Sequence, residues 1–194
     1  RRYRFQREPP TLAAGVVGSA SPAGAARLGG AASRAAAQPG QPSPVIFLGI
    51  PGLRWSDVSA ESTPTLFRLL DQGSAASLSV RTVRQLTCPA DGWLTLGVGA
   101  RATVSRETGA GSDGPAGCPP IEVSAGAAAQ TALVNGYTEI PAANELYSYD
   151  PVFGLLADEI RRGGLCATAV GPGAALALAD ANGRAQPYLP DAGA

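Results

Sequence analysis

The chain predicts an α/β fold: a parallel sheet with flanking helices. Three observations point there. Short runs that are apolar on both faces, VIFLGI at 45–50 and LCATAV at 165–170, have the pattern of strands covered on both sides. Helix-type segments alternate with these runs. Glycines and prolines punctuate the changes from one to the other, as right-handed βαβ units require.

Residues 1–43 read as a tail. Arg1, Arg2, Arg4 and Arg7 cluster around Tyr3 and Phe5, and a Gly, Ala, Ser and Pro stretch follows. Such a segment buries too little apolar surface to offset the entropy of ordering it. The α/β domain is expected over 44–194, starting with a buried strand at Val45–Ile50 that Pro51-Gly52 ends. A helix follows, with Thr63 as cap, Pro64 at its first position and Gly73 at its end. Its core face is Leu66, Leu69 and Leu70, with Phe67 beside them.

Ala75–Val80 is the second expected strand, and Pro89 opens a helix that runs to about Gly97. Residues 103–130 are a loose loop, either a surface excursion or the host of a small element. The segment PVFGLLADEIRRGG then forms a helix with Phe153, Leu156 and Ile160 on one face. Arg161 and Arg162 sit near its C-terminal end, where the helix dipole favours cations. Leu165–Val170 is the third strand, and Gly171-Pro172-Gly173 opens a last short helix.

Composition sets outer limits on function. The 194 residues suffice for one domain with a core. Fifteen basic residues, all Arg, balance fifteen acidic ones, so nothing favours a nucleic-acid partner. The chain has no His, which excludes Ser-His-Asp or Cys-His catalysis and a His-containing zinc site within it. It has no Met either, so the sequence is expected to be a fragment or a processed product whose protein continues past residue 194. There is no apolar run of the roughly 20 residues a membrane span needs.

Cys88, Cys118 and Cys166 lack CxxC spacing. In a reducing compartment they would be small buried residues; in an exported domain one pair could bridge and leave one thiol over. Three pairings exist and the spacing does not choose among them.

Ligands of doubly wound sheets bind where strands end at their C-terminal edge. Three loops reach that edge: 49–55, 84–93 and 171–174. In the second, Thr87 stands at a helix entrance, where backbone N–H groups and the dipole face an incoming anion. Its hydroxyl is placed to be a nucleophile or a cap. Asp91 is a carboxylate in the same neighbourhood; it could serve the site or complement the dipole, and Asp57 is a weaker candidate. Arg54, Arg81 and Arg84 flank the region, as anion-holding groups or as solvated loop residues. Trp55 and Trp93 read as packing anchors. The Gly171-Pro172-Gly173 turn lacks the spacing of a dinucleotide fingerprint.

The order of these pieces resembles the N-terminal part of the alkaline phosphatase superfamily, in its phosphodiesterase and sulfatase-like branch. The matching residues are Ile50-Pro51-Gly52, Thr63-Pro64 through Gly73, Thr87-Cys88-Pro89 and Leu94-Thr95-Leu96-Gly97. The helix, double glycine and strand over Phe153–Val170 extend the likeness, which covers about half of the chain. The wording PGLRW, TCPADGWLTLG and GPGAALALAD is also similar to a group of actinobacterial membrane-associated proteins.

The resemblance implies an incomplete alkaline-phosphatase-like domain at the cell envelope, extracytoplasmic and membrane-associated through segments outside this chain. It implies metal-dependent hydrolysis of a phosphoric or sulfuric ester, with Thr87 as nucleophile and Arg54 and Arg84 on the substrate. It also implies a divalent metal, zinc or manganese, in the full-length protein. Pro51 stands where that superfamily keeps its first metal-ligating Asp, so no metal ligand is visible in this chain. The alternative expectation is a non-catalytic envelope protein that keeps the fold to bind an anionic or protein ligand.

Overall fold

The computed structural model describes residues 15–16, 44–76, 81–106 and 117–192, and the chain divides into two units, Arg1–Ser79 and Val80–Ala194. The architecture is mixed α/β, with short helices and small sheets that are partly parallel.

In the first unit, β1 (Gly15–Val16) pairs antiparallel with β2 (Ile46–Phe47). The expected buried strand over Val45–Ile50 is therefore corrected: it narrows to two residues, and Val45, Ile46, Phe47 and Leu48 are exposed. A strand apolar on both faces needs a layer on each side, and the described part of this unit supplies none. Apart from Gly15–Val16, the expected tail over 1–43 lies outside the described residues.

A 3-10 turn at Trp55–Asp57 leads to α1 (Pro64–Gln72). Pro64 opens α1 as the sequence predicts, but the Thr63 hydroxyl does not cap it; it donates to the Asp57 carbonyl at 3.0 Å and accepts from the Ser59 N–H at 3.0 Å. Leu66 and Leu70 are half-buried, whereas Phe67 and Leu69 are exposed, so only part of the expected core face is covered. Trp55, expected as a packing anchor, is also exposed. Of the second expected strand, 77–80 lies outside the described residues and 75–76 has no regular structure.

The second unit is built on α2 (Pro89–Val98). Pro89 needs no partner for its missing N–H in the first turn, and Gly99 ends the helix in the left-handed conformation at φ 68°. After it come β3 (Val123–Ala125), β4 (Ala132–Val134), a 3-10 turn at Tyr137–Glu139 and α3 (Ile140–Asn144). Then follow α4 (Leu155–Arg162), β5 (Ala169–Val170), α5 (Gly171–Ala177), β6 (Arg184–Ala185) and β7 (Tyr188–Leu189).

Two sheets form here. One is antiparallel in the order β3-β4-β6; the other is the parallel pair of β5 and β7. The predicted parallel arrangement is thus present in one short pair, and the larger sheet is antiparallel. The loose loop predicted over 103–130 does host a small element, β3, while its middle at 107–116 lies outside the described residues. The third expected strand shortens from Leu165–Val170 to its last two residues, and Leu165 is exposed.

The core lies between α2, α5 and β4. Leu94, Val98, Ala132, Val134, Ala175 and Leu176 fill it. Trp93 packs against this cluster with its indole lying on Gly173 in α5, which makes it the anchor that the sequence predicts. Tyr137 meets Phe153 edge to face with ring centroids 6.2 Å apart. Burial, reinforced by the Asp180 charge, pushes the Tyr137 hydroxyl up to about 12. The helix α4 has Arg161 and Arg162 in its last turn, where they pair with Asp158 and Glu159 on the exposed face.

Small residues let α2 and α5 approach. A Cβ on Gly97 would overlap the backbone of Ala177. Gly97→Ala should therefore destabilise the protein by about 1–3 kcal/mol, although alanine favours a helix by about 1 kcal/mol over glycine. Backbone cannot swing aside as a side chain can, so the overlap decides the sign. Urea unfolding checks this; an unchanged or raised midpoint would refute the close packing.

Candidate functional site

The entrance of α2 gathers the sequence-predicted residues of the second unit. Cys88, in extended backbone, is the N-cap residue, which puts Thr87 one position outside the helix. Thr87 is half-buried; its oxygen accepts from the Thr82 N–H at 3.2 Å and lies 3.3 Å from the Thr82 hydroxyl. Thr87 thus closes the turn over 82–87 and is not the helix cap.

The capping task falls to Asp91. Its Oδ2 accepts the Cys88 N–H at 2.9 Å, so the third helical residue reaches back to the cap position. The same carboxylate accepts the Thr103 hydroxyl and the Val104 N–H, each at 3.0 Å, and pairs with the Arg106 guanidinium at 2.5 Å. Asp91 is 0 % exposed and Arg106 is 16 % exposed. A buried carboxylate survives only with such a complement of donors.

Arg84 joins this network from the other side. Its Nε donates to the Thr103 hydroxyl at 3.2 Å, and that hydroxyl in turn donates a hydrogen bond to Asp91. Thr103 is itself held by Asn144, which accepts the Thr103 N–H at 3.0 Å and donates to its carbonyl at 2.8 Å. Arg106 also donates to the Leu86 carbonyl at 3.0 Å, fastening the loop that carries Thr87.

A covalent tie completes the entrance. Cys88 and Cys118 form a disulfide, with Cα atoms 5.4 Å apart, and Cys166 is a free, exposed thiol. This selects one of the three pairings that the sequence leaves open.

The structure therefore brings Thr87, Asp91 and Arg84 into one connected region. Arg54, Pro51 and Asp57 belong to the first unit, where the Arg54 N–H donates to Asp57 Oδ2 at 2.8 Å and the Arg54 side chain is exposed. Arg81 is exposed at the start of the second unit. Sequence reasoning missed Thr103, Arg106 and Asn144. Thr103 shows locally only as a polar residue between the apolar Ala102 and Val104, and the contacts that join the three to the site span 12 to 41 residues.

The divalent metal implied by the resemblance does not fit the residues present. The Asp91 oxygens are taken up by N–H, O–H and guanidinium donors, and among the described residues no three His, Cys, Asp or Glu side chains converge. Among those residues, too, no helix is long and apolar enough to cross a membrane.

No family model, curated protein or solved structure matches the chain. Fold and site together define a mixed α/β domain whose main helix has a disulfide-tied, ion-pair-backed entrance.

Proposed function

We propose that this chain is part of an extracytoplasmic, alkaline-phosphatase-like domain whose helix entrance binds an anionic ligand and does not hydrolyse it. The commitment of Asp91 carries this reading: the carboxylate at the same helix entrance as Thr87 is spent on the fold, with its oxygens taken by four donors. Among the described residues the hydrogen-bonded side-chain neighbour of Thr87 is another threonine, Thr82, and not a base.

Anion binding is supported by Arg84. Its Nε is fixed on Thr103, and its two terminal amino groups have no hydrogen bond among the described residues. Those groups suit bidentate contact with a phosphate, sulfate or carboxylate. The Cys88–Cys118 bond supports an oxidising location such as the cell envelope. Membrane association would come from segments outside this chain.

The test uses the full-length protein, with bound zinc and manganese measured and hydrolysis of a generic phosphodiester, monoester and sulfate ester assayed. The expected result is no stoichiometric metal and no turnover that depends on Thr87. Stoichiometric metal, with turnover abolished in Thr87→Ala, would overturn the binding reading in favour of a metal-dependent ester hydrolase.

A further inference from the structure

A cavity of about 320 Å³ opens beside the first turn of α2, on the side of the antiparallel sheet. Val104, Val134, Ile140 and Leu176 form its floor, and each is at least nine-tenths buried. Pro119 and Pro120, which follow the disulfide, make one stiff wall. Glu122, just before β3, and Glu139, in the 3-10 turn after β4, also line it.

The lining segments at 122–124 and 135 are hydrogen-bonded to each other. The Asn135 N–H donates to the Glu122 carbonyl at 3.0 Å, and Ser124 and Asn135 side chains are joined at 2.7 Å. Gly136 adopts φ 69°, and the Glu139 carboxylate lies 3.5 Å from where a Cβ on Gly136 would sit. The positive φ there is what favours glycine.

The lining contains no Lys or Arg, and neither Glu122 nor Glu139 has an ion-pair partner among the described residues. An apolar floor beneath two uncompensated carboxylates selects for one kind of molecule. The body must be apolar enough to displace water from the floor, and the head must be positive.

We propose that this cavity is a binding site for a small organic cation, a protonated amine or guanidinium on an apolar body. The apolar body rests on Val134, Ile140 and Leu176, and the cationic head sits between Glu122 and Glu139. The proposal goes beyond the anion-binding reading of Arg84 and does not depend on it.

Benzylamine, benzyl alcohol and benzoate, titrated into the full chain at neutral pH, test the assignment. They share a ring and differ in charge. Methyl NMR shifts at Val134, Ile140 and Leu176 localise the binding. Benzylamine should bind roughly tenfold more tightly than benzyl alcohol, as two partly exposed charge pairs would give, and benzoate should bind least.

The double variant Glu122→Gln/Glu139→Gln should bring benzylamine down to the level of the alcohol. Both side chains are exposed, so the variant is expected to fold. Three outcomes would overturn the proposal: equal affinity for amine and alcohol, benzylamine binding unaffected by the double variant, or no shift at those methyl groups.

Discussion

Asp91→Ala should cost about 3–5 kcal/mol of stability, the largest effect expected of any single substitution here. The change removes one side of a buried ion pair and leaves the Arg106 guanidinium in the interior with its charge uncompensated. It also orphans the Cys88 N–H and the Val104 N–H, and it leaves the Thr103 hydroxyl only the Val104 carbonyl at 3.2 Å as acceptor. A domain has about 5–15 kcal/mol in total, so the loss is a large fraction of it. Asp91→Asn should recover little, because an amide presents its own N–H groups where the site needs acceptors. Denaturant unfolding gives the measurement; a loss under about 1 kcal/mol for either variant would show that the network is not what holds the entrance of α2.

Breaking the disulfide is the second large effect. Cys88 and Cys118 are 30 residues apart, and a closed loop of that length is worth about 3–4 kcal/mol through the unfolded state. Reduction, or Cys118→Ala, should therefore lower the thermal midpoint by roughly 10 °C. Cys166→Ala is the internal control: that thiol is free and exposed, and its removal should leave the midpoint where it is. A midpoint insensitive to reductant in the parent protein would remove the bridge from the list of stabilising elements.

The two effects should not add. Cys88 contributes its sulfur to the bridge and its N–H to Asp91, so both act on the first turn of α2. Groups that share an element couple, and a variant lacking both should lose less than the sum of the two losses.

Helices were the legible part of this fold because their signals are local. Pro64, Pro89 and Pro172 each open a helix, and Gly73 and Gly163 stand at helix ends. A proline or glycine acts through its own backbone freedom, so a reader of the sequence needs no distant partner. Trp93 was legible for a related reason, since a large ring in a helix beside Leu94 and Val98 has few options besides packing.

The strands were not legible in this way. β3, β4 and β6 are two or three residues long and made largely of Ala, Ser, Val and Arg, too short to establish a period of two. Val45–Ile50 failed in the opposite direction. Its pattern is that of a central strand, yet a pattern states only what an element needs, and the described first unit offers it one two-residue neighbour.

The candidate site divides along the same line. Thr87, Asp91 and Arg84 could be singled out by residue type and by position at a helix entrance. What Asp91 does there could not, because Thr103, Val104 and Arg106 converge on it from beyond α2, and the Cys118 bridge comes from further still.

By itself, then, the sequence determined where α1, α2 and α5 begin, which ring anchors the core, and which side chains stand at the entrance of α2, while it missed α3 and started α4 four residues early. The features it determined are settled by covalent geometry and near neighbours. Only the tertiary structure decided the direction of the strands, the choice of cysteine pair and the burial of Asp91. Those depend on which distant groups meet, and a carboxylate that would be solvated or metal-seeking in isolation becomes structural once buried donors surround it.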